Sequence, residues 1–178
     1  KGVILVEGDG EEILLPSMVK KSLGISLDEI GIGLINIGSV SFEYVASLFD
    51  PNRLQRHCAI VTDYDNILDG AERCSTKAAT LGRNRKEKLT RLYADNPWVD
   101  AYYAQYTFEV EFAKEEKNRQ YIEKVIENYY VQHRAIEDNK AKINGSDADR
   151  YDCVLKIATT MGKGWYATLL SSFIDEKV

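Results

Sequence analysis

Two short apolar runs in this chain end abruptly in carboxylates. Val3-Ile4-Leu5-Val6 leads into Glu7-Gly8-Asp9-Gly10-Glu11, and Ala59-Ile60-Val61-Thr62 leads into Asp63-Tyr64-Asp65. A strand buried on both faces reads as a continuous hydrophobic run, and in open parallel sheets ligands collect beyond the strand C-termini. Set side by side, two such strands bring Glu7, Asp63 and Asp65 to one edge of a sheet. Carboxylates crowded there repel one another unless a cation sits among them. Oxygen donors suit hard cations, so the pattern points to Mg²⁺ or Mn²⁺. Asp63 and Asp65, two apart in an extended segment, are expected to share a face; the competing role for them is a turn with Asn66. Glu7 and Glu11 flank a tight turn that Gly8 and Gly10 allow to bend. Glu12 is expected to do no more than complement a helix N-terminus.

The elements needed to position these acids are legible around them. Apolar runs at 3–6, 32–37 and 58–62 read as buried strands, and 99–103 as a fourth, rich in β-branched and aromatic residues. Between them, 10–23 carries Ile13, Leu14, Met18, Val19 and Leu23 at helical spacing and stops at Gly24. Residues 40–49 repeat the pattern and stop at Asp50-Pro51. Strand-helix alternation of this kind implies parallel strands joined by right-handed crossovers. After Asp65 the alternation fails. Helices are expected at 75–94, at 110–136 as one long element, at 147–160 and at 164–174, with a helical insertion over about 68–95 and a helical extension over about 110–160.

A chain of 178 residues, 44% hydrophobic and 29% charged, forms one domain with a substantial core. No apolar run approaches the roughly 20 residues of a membrane span. Cys58, Cys74 and Cys153 are odd in number and lack Cys-x-x-Cys spacing, which argues against structural zinc and for a reducing, cytoplasmic setting. The chain opens at Lys1 inside a strand, without an initiator Met, so it is expected to be a piece of a longer protein. A net charge of -5 excludes a generic nucleic-acid-coating protein. Yet Lys77, Arg83, Arg85, Lys86, Lys88 and Arg91 crowd one stretch against the single acid Glu87. On a helix, Arg85 and Lys88 lie three apart on one side, and with Arg83 they are the candidate DNA contacts. His57 and His133 suggest no nucleophilic arrangement. Tyr102, Tyr103 and Tyr106 could stack bases, though packing is the plainer use.

Four motifs in order carry a resemblance: Glu7-Gly8 with Glu11, Asp63-Tyr64-Asp65, Thr107-Phe108-Glu109-Val110-Glu111-Phe112-Ala113, and Gly162-Lys163-Gly164-Trp165-Tyr166-Ala167. The first two resemble the Toprim domain of topoisomerases, primases and nucleases. With the last two, nearly the whole chain resembles the catalytic domain of the overcoming lysogenization defect (OLD) nucleases, among them the nuclease subunit of Gabija phage-defence systems. The resemblance implies an α/β, Rossmann-like fold with a central, mainly parallel four-stranded sheet flanked by helices. It implies a metal-dependent DNA endonuclease, with two Mg²⁺ or Mn²⁺ ions on Glu7, Glu11, Asp63, Asp65 and Glu109, and Lys163 stabilising the transition state. Glu109, rather than Glu111, matches the motif's ligand position; sequence alone does not separate the two. Such nucleases carry an N-terminal ABC-type ATPase, whose Gly-x-x-x-x-Gly-Lys-Ser/Thr loop does not occur here. A helicase-like partner is implied for the Gabija type. Three rival readings stay open. One is a HAD-type phosphatase with Asp63 as nucleophile, which leaves Glu7 unexplained. Another is a primase- or topoisomerase-like Toprim activity. The third is a non-catalytic DNA-binding or assembly module.

Overall fold

The structure, a computed structural model, describes residues 1–175. Four parallel strands form its centre: β1 (Gly2–Val6), β2 (Ile32–Asn36), β3 (His57–Asp63) and β4 (Val99–Ala104), in the order β2-β1-β3-β4. Val6 pairs with both Asn36 and Val61, and Asp63 with Ala104, so all four C-terminal ends share one edge. The chain steps outward from β1 to β2, then crosses back to place β3 on β1's other side. The switch in direction therefore falls between β1 and β3, where open α/β sheets leave a crevice at their carboxyl edge.

Right-handed crossovers put the connecting helices on opposite faces. The helix α1 (Asp9–Leu23) joins the larger core, where Leu14 packs with α4 (Phe108–Lys114), α5 (Glu116–Tyr129), α6 (His133–Ile143), α7 (Asp147–Met161) and α8 (Lys163–Asp175). On the other face α2 (Glu43–Ala46), a 3-10 turn over Ser47–Phe49 and α3 (Thr76–Tyr93) close a smaller core of Leu5, Phe42, Phe49, Cys58, Ile60 and Leu89. The strands and α1 lie where the apolar patterns put them.

The single long helix expected over 110–136 is instead three helices. Glu115 adopts an extended conformation (ψ 117°) between α4 and α5. Asn118 donates to the carbonyl of Phe112, and Arg119 to those of Ala113 and Lys114. These side chains satisfy carbonyls that a continuous helix would have used, so the break is stabilised locally. The insertion expected from about 68 starts its helix only at Thr76, capped by the Ser75 hydroxyl. The preceding loop is pinned by Asp152, which accepts from the backbone N–H groups of Glu72 (2.7 Å) and Arg73 (2.8 Å). Residues 176–178, which complete the single domain expected over 1–178, lie outside the described residues. No described helix is long and apolar enough to cross a membrane.

Candidate metal centre

Glu7 follows the last residue of β1, and Asp63 is the last residue of β3, its neighbour. The crevice between them receives Glu11 from the first turn of α1, Glu109 from the first turn of α4 and Lys163 at the start of α8. Gly162, at φ 86°, makes the one-residue corner from α7 into α8 that aims Lys163 back at the sheet edge. Lys163 Nζ lies 3.2 Å from Glu109 Oε1. The other carboxylate oxygen of Glu109, Oε2, is buried without a hydrogen-bond partner, as is the hydroxyl of Tyr166 beneath it in α8.

The electrostatics follow from burial. Glu11 is pushed up to about 7, chiefly by desolvation, with Glu109 and Glu7 adding repulsion against the pull of a backbone N–H and Lys163. Desolvation also lifts Asp63 well above the usual carboxylate range, helped by Glu109 and Glu11. Asp65 is raised by burial despite the neighbouring Arg85. Burial alone would lower Lys163; attraction from Glu109, Asp63 and Glu11 outweighs it, and its pKa is raised.

Several side chains differ from their expected places. Asp65 sits beyond the strand at φ 53°, so strand alternation does not govern it and it does not simply share a face with Asp63. Its Oδ2 instead accepts from Arg85 at 3.2 Å. Arg85 also donates to the Asp63 carbonyl and approaches Glu7 Oε2 at 3.8 Å. It is therefore drawn into the acidic crevice and is absent from the exposed basic face on which it was expected. Lys88 is likewise occupied, 2.5 Å from Glu43, whose carboxyl it holds below its ordinary pKa. Of the expected basic trio only Arg83 stays on the open surface without an ion-pair partner among the described residues. Glu111 is engaged away from the crevice: its Oε1 accepts from the backbone of Gln105 and Tyr106 and from Lys114. That leaves Glu109, not Glu111, facing the crevice. Glu12 also does more than complement a helix end, because Asn36 donates to both Asp9 and Glu12 at 2.9 Å and ties β2 to α1.

Sequence reasoning missed three contributors. Thr62 donates to Glu7 Oε2 at 2.8 Å and fixes that carboxylate. The backbone N–H of Phe108 donates to Asp63 Oδ1 at 2.8 Å. Arg85 comes in because α3 runs hard against the turn after β3. A Cβ on Gly82 would stand 2.0 Å from the Tyr64 carbonyl oxygen, so only glycine permits that approach. A glycine in mid-helix was the available signal for it.

The donor set is all carboxylate oxygen, suited to a hard divalent cation. The unpartnered Glu109 Oε2 and the raised Glu11 and Asp63 are what such an ion would relieve. Among the described residues, no three His, Cys, Asp or Glu side chains are already drawn into a ready-made metal cluster. Lys163 and Arg85 take up part of the negative charge instead.

Comparison with known proteins bears on the family and the fold. Residues 1–65 match the family described as overcoming lysogenization defect protein-like, TOPRIM domain. The fold matches the C-terminal region of the Burkholderia pseudomallei OLD protein with a TM-score of 0.74 and 26% identity, over 97% of this chain and 87% of that one. Over its first 65 residues the chain is similar to the OLD-type Toprim domain, and over nearly its whole length its fold is similar to that OLD C-terminal region. The C-terminal region of the Xanthomonas campestris pv. campestris OLD protein is also similar, with a TM-score of 0.62 and 21% identity over 96% and 84% of the two chains. No curated protein matches in sequence. Toprim domains bind divalent metals as a class, and the carboxylate oxygens of this crevice are of the donor type such ions take.

Proposed function

We propose that this Toprim domain is a divalent-metal-dependent DNA endonuclease that hydrolyses phosphodiesters. The observation that carries the reading is the convergence of Glu7, Glu11, Asp63 and Glu109 in one partly desolvated crevice at the switch point of the sheet, with Asp65 at its rim. These five residues would hold Mg²⁺ or Mn²⁺; two ions is the number that so many carboxylates can serve. When bound, such ions supply an activated water and stabilise the leaving oxygen. The chain's own residues do the rest. Thr62 and the Phe108 N–H orient Glu7 and Asp63. Lys163, half exposed and kept protonated by its acidic neighbours, can turn its ammonium toward charge developing on the phosphate. The partner is DNA. An N-terminal ABC-type ATPase elsewhere in a parent chain, a helicase-like companion and a cytoplasmic phage-defence role belong to this proposal.

Incubation with supercoiled plasmid tests it. Nicking is expected with Mg²⁺ or Mn²⁺, is abolished by a chelator, and is lost in Glu7→Ala and Asp63→Ala variants that still melt cooperatively. Undiminished cleavage in both variants would put the chemistry elsewhere.

A further inference from the structure

Beside the acidic crevice, on the α3 face, lies an open hollow of about 550 Å³ lined by Tyr64, Arg83, Lys86, Glu87, Thr90 and Arg91. Its volume falls within the roughly 300–1,000 Å³ of small-ligand sites. Tyr64 stands between Asp63 and Asp65 in the chain, so the hollow is continuous with the turn that carries two of the carboxylates. Lys86 Nζ lies 4.9 Å from the Tyr64 ring centre and 5.3 Å from that of Tyr103. Among the described residues no carboxylate forms an ion pair with Arg83, Lys86 or Arg91, whereas Arg85 and Lys88 on the same helix are both paired. Arg83 and Arg91 without acidic partners, and Lys86 held over the two rings, outweigh Glu87 in this lining and, on a chain of net charge -5, mark the surface as complementary to a polyanion.

A path for phosphates alone would need no aromatic residue in its lining. Here Tyr64 joins Arg83, Lys86 and Arg91 in the lining, and long basic side chains carry apolar stems beneath their charged ends. That is the chemistry of an unstacked base with its flanking phosphates, since every base has a π-face and stacking on aromatics is tolerant of sequence. A base inside a duplex is stacked on its neighbours and cannot enter. We propose that the hollow seats an unpaired nucleotide of the strand presented to the carboxylates, base against Tyr64 and phosphates on Arg83 and Arg91. Substrates frayed or single-stranded next to the cut are then preferred over intact duplex. The inference rests on the nuclease reading for the identity of the polyanion.

The test separates binding from cleavage. Fluorescence anisotropy with a labelled oligothymidylate and with a blunt duplex is measured in Ca²⁺ across several salt concentrations. The combined Arg83→Ala, Lys86→Ala, Arg91→Ala variant should bind the single strand about tenfold more weakly or worse, with its salt slope flattened by about two. Duplex binding should change less. Equal losses on both probes, no loss on either, or no single-strand binding by the unaltered chain would overturn the proposal. If single-strand binding depends on the hollow but plasmid is never nicked, the hollow stands and the nuclease reading falls.

Discussion

Two cations reach the acidic crevice from opposite faces of the sheet, and they are held very differently. Lys163 comes from α8 on the larger core; its side chain is 52% exposed and its ion-pair partner is Glu109. Arg85 comes from α3 on the smaller core; its side chain is 10% exposed and already committed to Asp65 and to the Asp63 carbonyl. A lysine ammonium is a compact charge on a flexible stem, whereas the guanidinium is a planar fork that locks its partners. A charge that substrate can reach is available for chemistry; one already consumed by the fold can only position. On the proposed nuclease reading Lys163 is thus the group available to a phosphate, whereas Arg85 is a strut that holds the turn after β3 against the carboxylates.

The largest expected effect tests that division directly. Lys163→Ala should slow plasmid nicking on the order of a hundredfold or more, about 3 kcal/mol of transition-state stabilisation, with Mn²⁺ affinity by calorimetry unchanged. Arg85→Ala should instead lower the melting temperature of the metal-free domain and alter Mn²⁺ affinity, because it leaves Asp65 unpaired beside Glu7. The division collapses if Lys163→Ala loses metal binding, or if Arg85→Ala slows cleavage as strongly with melting and metal affinity intact.

A smaller effect sharpens the Arg85 side alone. Gly82→Ala forces a methyl against the Tyr64 carbonyl, so α3 must retreat from the turn it braces. Overpacking of this kind costs about 1–3 kcal/mol. Thermal melts should show that loss, while Thr80→Ala on the same helix, at an exposed position, should be nearly neutral. Equal stability of Gly82→Ala and the parent would mean that the close approach is dispensable.

The strands and their acidic ends were legible because buried parallel strands leave a continuous apolar signature that stops where the carboxylates begin. Glu7 and Asp63 could be paired before any coordinates. What sequence could not carry was direction at a corner. Asp65 follows a backbone reversal that strand periodicity does not encode, and Arg85 looks, by composition, like one more cation in a basic stretch. Its inward turn depends on the absence of a side chain at Gly82, three residues earlier. The break at Glu115 was hidden for a similar reason, since Asn118 and Arg119 cap α4 from within a run of good helix formers. The motif resemblance, in contrast, singled out Glu109 over Glu111 where periodicity was silent, and it is Glu109 that faces Lys163.

The smallest effect asks whether the crevice is strained without its cation. Glu11 has a folded-state pKa near 7 against about 4.5 for an unperturbed side chain, so the folded protein binds its proton more tightly than the unfolded one. Its contribution to stability is then fully present below about pH 4.5 and is lost as pH rises through about 7. Asp63 is shifted in the same direction and works the same way. Metal-free domain should therefore lose stability between pH 5 and pH 8, by about 1–2 kcal/mol attributable to Glu11, because the coupled acids share the penalty. Glu11→Gln removes that charge and should flatten the decline. Saturating Mg²⁺ should raise the melting temperature at pH 8 more for the parent than for Glu11→Gln, since the ion offsets the repulsion that the variant no longer has. Melting curves across this range, with and without Mg²⁺, decide the matter. A parent whose metal-free stability rises with pH would show that Lys163 and Arg85 already neutralise the crevice, and the two cations would then differ less than their exposures suggest.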